Sequence, residues 1–211
     1  MREKLWQLGE EIAACSAGCA GTYRCPEEGV LPRGLIYEQR DGDQGTIVLG
    51  MNPGSARDPE KAAIRQNRSY EALHEYWSAH LKDGSYYGPL RQLVHALGRT
   101  GPILWTDVAK CQSDPEQKGD LQQALRTCSQ KFLTKEVREA PADWPVIAVG
   151  VVAYQAASYL FPHRAVIGVP HASGNWAQRL FRLVKADSAI HRVMCKQLEA
   201  GGAVARYYRS T

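Results

Sequence analysis

The segment TIVLGMNPG, residues 46–54, decides the fold because it joins an apolar run to a glycine-rich turn. The run at residues 46–49 predicts a short, fully buried β-strand. Gly50 and Gly54 flank Asn52 and predict a sharp turn with exposed backbone amides. Ligands of parallel sheets bind beyond the carboxyl ends of the strands. The segment therefore predicts either a site for a small polar ligand and a water, or an ordinary loop.

The remaining periodicity predicts an α/β fold. Further strands are expected at residues 35–38, 103–106, 146–149 and 165–169. Helical patterns cover residues 3–14, 90–97, 121–132, 152–160 and 175–198. Strands that alternate with helices predict a mostly parallel sheet covered on both faces. We expect a single three-layer αβα domain over residues 1–211, with a polar, partly helical insertion at residues 55–85.

Composition is typical of an ordinary globular protein. The 211 residues are 44% apolar and 23% charged. We expect a cytoplasmic protein, because no apolar run is long enough to cross a membrane and the first residues lack the apolar core of a signal peptide. The net charge is +4, and residues 178–209 carry seven Lys or Arg against two acidic residues. This basic segment suits contact with a phosphate backbone and equally suits a solvated helix face.

Five of the six cysteines are placed in a way that predicts metal ligation. They are Cys15, Cys19, Cys25, Cys111 and Cys128. Structural disulfides are rare in cytosolic proteins, so clustered thiols there more often bind metal. Tetrahedral zinc and a [4Fe–4S] cluster both fit these residues. The sixth, Cys195, lies in a helical pattern and is expected to pack.

Polar residues follow three of the predicted strands. Asn52, Asp107 and His171 each come shortly after an apolar run. Because the carboxyl ends of parallel strands lie at one edge of a sheet, this placement predicts an active site built from these side chains.

In four places, and in the same order, the chain resembles the uracil-DNA glycosylase superfamily. Residues 50–54 look like its first motif in the Asn-bearing form, and residues 105–111 (WTDVAKC) resemble the T-N-x-V-K-C segment of its iron–sulfur branch. Residues 146–150 resemble the strand that follows, and His171-Ala172-Ser173 looks like the His-Pro-Ser motif. The resemblance covers most of residues 15–176 outside the insertion. It implies an enzyme that flips a base out of DNA and hydrolyses its N-glycosidic bond.

The resemblance also implies roles for individual residues. Asn52 would position the attacking water, and His171 would hydrogen-bond the base as it leaves with negative charge. The aromatic that stacks on the base would be Tyr87, with Tyr86 as the alternative. The residues implied to line the base pocket are Gly50, Met51, Gly54, Tyr87 and Asp107.

Contacts to DNA are expected after His171. Trp176, next to Asn175, falls where the family carries a wedge that fills the vacated base stack, although the same tryptophan could instead pack the last helix. The expected DNA-contacting residues are Ser173, Asn175, Trp176 and Arg179. DNA is the only macromolecular partner that we infer, with no membrane and no protein partner.

The iron–sulfur branch implies a [4Fe–4S] cluster, with zinc as the alternative. Cys111 and Cys128 match its later ligands most firmly. The branch opens with C-x2-C, whereas here three cysteines compete for two positions. Counting back from the first motif favours Cys25, together with Cys15 or Cys19.

Asp107 departs from the family, which places an Asn there to recognise uracil. An amide matches the uracil edge, because it both donates and accepts. A protonated carboxyl group would instead match cytosine, and burial favours the protonated form. Gly54 stands where classical uracil enzymes carry a tyrosine that blocks the C5 side of the base. The chain thus resembles antiphage glycosylases that excise glucosylated hydroxymethylcytosine.

Three hypotheses follow. The protein is a monofunctional glycosylase for a C5-modified cytosine, an iron–sulfur uracil-DNA glycosylase, or a non-catalytic DNA-binding or sensor module of the same fold. Strand cleavage through a Schiff base is not expected, because no lysine lies where the resemblance implies such a nucleophile, and Lys110 adjoins an expected cluster ligand.

Overall fold

The computed structural model describes residues 1–116, 121–172, 188–201 and 204–208. The described strands are β1 (Thr22–Tyr23), β2 (Leu35–Glu38), β3 (Thr46–Gly50), β4 (Ile103–Asp107), β5 (Gln112–Ser113), β6 (Val146–Val149), β7 (Val166–Val169) and β8 (Ala205–Tyr207). The described helices are α1 (Arg2–Ala13), α2 (Asp58–Gln66), α3 (Tyr70–Tyr76), α4 (Tyr87–Ala96), α5 (Gln122–Cys128), α6 (Thr134–Glu139), α7 (Val151–Leu160) and α8 (Ala189–Ala200).

A six-stranded, mostly parallel sheet confirms the predicted α/β class. Its strand order is β2-β4-β3-β6-β7-β8. Strand β3 pairs in parallel with β6, β6 with β7, and β7 with β8. Ile47 lies opposite Val146, and Ile147 lies opposite Ile167. Every residue of β3, β6 and β7 is buried. This burial explains the continuous apolar runs, because parallel strands are covered by helices on both faces.

The predicted strands agree with the structure to within one residue, whereas the helices differ more. The pattern at residues 121–132 is in fact α5, a π-helical turn at Ser129–Leu133 and then α6. Of the helix predicted at residues 175–198, the structure describes only the part from Ala189 onward. There Ser188 caps α8, since its Oγ accepts a hydrogen bond from the backbone amide of His191 at 3.0 Å.

The chain divides into two compact units. The first comprises Met1–Ile36, Met51–Leu81 and Thr106–Glu139. The second comprises Tyr37–Gly50, Lys82–Trp105 and Ala140–Thr211.

The core of the first unit includes side chains from the segment predicted as a polar insertion. Ile64 of α2 and Tyr70 of α3 are 0% and 4% exposed. They belong to a buried cluster with Ala13 and Leu31, against which Trp6 packs. Tyr70 also donates a hydrogen bond from its hydroxyl to the Leu35 carbonyl at 2.9 Å. Residues 55–81 of the predicted insertion therefore stabilise this unit as well as adding surface.

The core of the second unit is the sheet and the helices that cover it. Helix α7 packs on β6 and β7 and buries Ala153 and Ala157. Helix α4 buries Leu90, Leu93 and Val94. No described helix is long and apolar enough to cross a membrane.

Gly168 provides a test of this packing. An alanine Cβ at this position in β7 would lie 2.6 Å from the Tyr154 ring and closer still to the Tyr207 ring. These two rings already meet edge to face at 5.3 Å, so a Cβ between them and the strand would have to displace this contact. We expect Gly168→Ala to lower the free energy of unfolding by about 1–3 kcal/mol, as overpacking does.

Urea denaturation of Gly168→Ala and of a control, Gly54→Ala, measures this effect. A Cβ at Gly54 would meet no atom within 4 Å, so the control should keep wild-type stability. Equal stability of both variants would show that β7 and its neighbours are packed differently.

Candidate active site

The turn that carries Asn52 is held by its neighbours in the first unit. The backbone amide of Ala109 donates to the Met51 carbonyl at 2.9 Å. The side-chain nitrogen of Asn52 donates to Ser113 Oγ at 3.1 Å and to the Pro53 carbonyl at 3.2 Å. Asn52 is half-buried, so it can still reach a ligand from its partly exposed position.

Arg33 stabilises the chain directly after this turn, a role that the sequence did not suggest. Its guanidinium donates to the Gly54 carbonyl and to Gln112 Oε1, at 2.5 and 3.2 Å. It also pairs with Glu60 of α2 at 3.0 Å, and both side chains are largely buried. Gln112 Oε1 accepts a second bond, from the backbone amide of Ala56 at 2.7 Å. These contacts join the turn to α2 and β5.

Asp107 ends β4 in a confined position. Its backbone amide donates to the Gly34 carbonyl at 3.0 Å. Gly34 has φ +95°, and a Cβ there would lie 2.7 Å from Asp107 Oδ2, so both the backbone and the space require glycine. Burial raises the pKa of Asp107 from its ordinary 3.8 to about 7. The charges of Lys110 and Arg33 oppose this rise, and that of Glu136 adds to it.

A buried ion pair lies next to Asp107. Lys110 Nζ contacts Glu136 Oε2 at 2.8 Å, and their side chains are 1% and 0% exposed. The same ammonium donates to Thr106 Oγ1 and to the Asp107 carbonyl, each at 2.7 Å. Sequence analysis missed Glu136, because it lies beyond the predicted end of its helix. Lys110 is therefore engaged as a structural cation by the acceptors around it.

In the second unit, the structure brings His171 against Tyr86. The two ring centroids are 5.5 Å apart, with the planes tilted by 47°. Burial lowers the pKa of His171 below its ordinary value, so the imidazole is neutral at pH 7. The favoured stacking residue, Tyr87, instead meets the Trp105 ring edge to face at 5.2 Å. Of the two tyrosines, Tyr86 is thus the one whose contact with His171 is observed.

A polar network also contacts Trp105. Trp105 Nε1 donates to Glu38 Oε2 at 2.8 Å. Arg91 pairs with Glu38 at 2.9 Å and places its guanidinium carbon 5.7 Å from the centroid of the Trp105 ring. Both charged side chains are mostly buried. Tyr87 therefore packs against an indole held by its hydrogen bond to Glu38, and Tyr87 in turn meets Tyr86 edge to face at 5.2 Å.

Four of the five candidate metal ligands interact with one another. Burial and then the charges of Cys128, Cys15 and Cys19 raise the pKa of Cys111 to about 12. Burial also raises the pKa of Cys128, with contributions from Cys19 and Cys15. Cys25 has a different environment, with its Sγ 3.7 Å from a carboxylate oxygen of Glu27. Outside this set, Cys195 lies on α8 with its Sγ 3.6 Å from His191 Nε2.

These thiols influence one another, but their side chains are not arranged as a metal-binding site in this structure. Within the described residues, no group of three or more His, Cys, Asp or Glu side chains is arranged to hold a metal ion. The raised pKa values of Cys111 and Cys128 keep these thiols protonated at neutral pH, so a metal would have to displace their protons on binding.

The expected DNA-contacting residues Ser173, Asn175, Trp176 and Arg179 lie outside the described part of the chain. Comparison with protein-family models, with curated proteins and with solved structures gives no match. A function for this chain therefore has to be argued from its own residues.

Asp107 should make stability depend on pH. Its pKa is higher in the folded protein than in the unfolded chain, so the folded state holds the proton more tightly. This contribution to stability is complete below the pKa that Asp107 has in the unfolded chain, and it is lost as the pH rises through its folded pKa of about 7. We expect Asp107→Asn to flatten the fall in the free energy of unfolding over this range.

Urea denaturation at several pH values between 3.8 and about 7 gives the free energy of unfolding as a function of pH. The slope of this dependence is compared for wild type and Asp107→Asn. Asp41→Asn, a change at an exposed carboxylate, serves as the control and should keep the wild-type slope. An unchanged slope in Asp107→Asn would mean that Asp107 ionises as freely in the folded protein as in water.

Proposed function

We propose that the protein is a monofunctional DNA glycosylase with a uracil-DNA-glycosylase-like fold, and that its favoured substrate is a C5-modified cytosine. The observation that carries the proposal is the carboxyl group of Asp107. It stands at the carboxyl end of β4, where the resemblance places the base-recognising residue, and its pKa is raised to about 7.

The chemistry of Asp107 allows it to bind a cytosine edge. A protonated carboxyl group donates to cytosine N3 and accepts from the N4 amino group. The protonated group also matches uracil, because it can donate to O4 and accept from N3–H, whereas the ionised carboxylate leaves one acceptor of either base unmatched. Because unmatched polar groups in a closed pocket are costly, Asp107 binds a base in its protonated form, and the preference for a modified cytosine rests on the open C5 side. A pKa of about 7 provides both protonation states near neutral pH.

Asn52 and His171 supply the remaining chemistry in this proposal. The Asn52 carboxamide accepts a hydrogen bond from the attacking water through its oxygen, since its nitrogen already donates to Ser113 Oγ and to the Pro53 carbonyl. A neutral His171 imidazole donates an N–H to the departing base as negative charge accumulates there. Tyr86, which contacts His171, is the aromatic that we assign to base stacking.

Space beside Gly54 supports a substituent at C5. A Cβ built on Gly54 meets no atom within 4 Å, and the residue is exposed. Of the neighbouring insertion, Tyr70 and Trp77 are buried and unsuited to contact a sugar. The exposed Arg65 and Asn67 remain as polar groups for a glucosyl substituent.

The four interacting thiols fit the donor set of a [4Fe–4S] cluster, and equally that of zinc. We assign ligation to Cys15, Cys19, Cys111 and Cys128, and a separate environment to Cys25. The bound group would act structurally, by joining the segment that follows α1 to the segments that carry Cys111 and Cys128.

A base-release assay tests the substrate. Duplexes that carry uracil, cytosine, hydroxymethylcytosine or glucosylated hydroxymethylcytosine are incubated with the protein, and abasic sites are cleaved with alkali. We expect release of a modified cytosine, falling as the pH rises through about 7, because Asp107 loses its proton there. Asp107→Asn should shift the preference towards uracil and remove this pH dependence.

Asn52→Ala is the control for adventitious activity and should release no base. Release of uracil alone by the wild type would favour the iron–sulfur uracil glycosylase. Binding of DNA without any release would favour the non-catalytic module, and an unchanged base preference in Asp107→Asn would overturn the role given to Asp107.

Single cysteine variants test the metal assignment. We expect purified wild-type protein to contain iron and to show the visible absorbance of an iron–sulfur chromophore, or else to contain zinc. Cys15→Ala and Cys19→Ala should lower the metal content as strongly as Cys111→Ala. Cys25→Ala is the matched control and should retain the metal. Loss of metal in Cys25→Ala, with retention in Cys15→Ala or Cys19→Ala, would reverse the assignment.

A further inference from the structure

The carboxamide of Asn52 has two chemically different ends, and only one orientation presents its oxygen to a ligand. Its nitrogen carries two protons, which go to Ser113 Oγ at 3.1 Å and to the Pro53 carbonyl at 3.2 Å. Among the described residues, no group donates to Oδ1 of Asn52. The oxygen therefore remains available to accept a proton from a water.

Ser113 is the side chain that holds the second amide proton in this orientation. The Pro53 carbonyl can only accept, so it requires the nitrogen on its side, and the hydroxyl of Ser113 in β5 accepts the other proton. If the hydroxyl is removed, one amide proton loses its partner and the carboxamide is held by the Pro53 carbonyl alone, so its oxygen faces the water less firmly.

The position of Ser113 is itself fixed. Strand β5 pairs antiparallel with β1, and Thr22 is the partner of Ser113. The hydroxyl of Thr22 in turn donates a hydrogen bond to the Cys19 carbonyl at 2.7 Å. The preceding residue of β5, Gln112, accepts hydrogen bonds through its Oε1 from Arg33 and from the backbone amide of Ala56. The backbone of Ser113 is therefore held by β1 and by the contacts of Gln112, within the same unit as Asn52.

We propose that Ser113 is a positioning residue, whose hydroxyl orients the Asn52 carboxamide with its oxygen towards the attacking water. The inference rests on the proposed glycosylase function. Ser113 acts through Asn52 and touches neither base nor water. Its loss therefore lowers the rate of hydrolysis and leaves DNA affinity unchanged.

Single-turnover rates and DNA affinities of Ser113→Ala and Ser113→Thr test this role. Ser113→Ala should release base about ten- to a hundredfold more slowly, because a misplaced catalytic group loses rate on that scale. Its affinity for DNA should equal that of the wild type. Ser113→Thr keeps a hydroxyl and should restore most of the rate. Ser78→Ala, a change at another exposed serine of the same unit, is the control and should keep the full rate.

The orientation of the Asn52 side chain provides a readout that does not need activity. Its side-chain amide signals in a ¹⁵N-correlated NMR spectrum are assigned by their loss in Asn52→Ala. We expect these signals to shift, and their protons to exchange faster with water, in Ser113→Ala but not in Ser113→Thr.

A wild-type rate in Ser113→Ala, an equal loss of rate in Ser113→Thr, or unchanged Asn52 amide signals in Ser113→Ala would overturn the proposal. If the wild type releases no base from any duplex, the proposed function fails, and the NMR signals alone then decide whether Ser113 orients Asn52.

Discussion

The Lys110 ammonium and the Glu136 carboxylate form an ion pair that is closed off from water, and the geometry of the first unit depends on it. Removing these charges from water costs several kcal/mol for each ion, and this is recovered only when the remaining hydrogen bonds are also made. Lys110 makes such bonds to Thr106 and the Asp107 carbonyl, whereas Oε1 of Glu136 has no hydrogen-bond partner among the described residues. Breaking such a pair by losing one partner typically costs about 3–5 kcal/mol, so the carboxyl end of β4 is firmly attached to α6.

Two candidate functional residues precede and follow Lys110 in the sequence. Asp107 precedes Lys110 and feels its positive charge, which opposes the effect of burial on the carboxyl group. The balance leaves the pKa at about 7, where a carboxyl group can both donate and accept near neutral pH. Cys111 follows Lys110 directly and interacts with Cys15, Cys19 and Cys128. One buried cation thus stabilises the segment that would recognise the base and the segment that would bind a metal.

Much of the fold could be predicted, because the buried parallel strands need continuous apolar runs. Strands β3, β6 and β7 have such runs and were located to within one residue. Strand β8 was missed, since Ala205–Tyr207 is mostly exposed and has no apolar run. Strands β1 and β5 were missed for another reason. Each has only two residues, and they pair across about ninety positions of sequence, which no local pattern reveals.

The sequence by itself determined the α/β sheet and identified Asn52, Asp107 and His171 as polar residues that follow its strands, because apolar periodicity and motif order are local properties. Only the tertiary structure decided which tyrosine meets His171, which thiols interact, and which way the Asn52 carboxamide is turned. Each of these depends on groups that are distant in sequence, and their separation is set by packing. The pKa of Asp107 also depends on tertiary structure, because it results from the burial of the carboxyl group together with the charges of Lys110, Arg33 and Glu136.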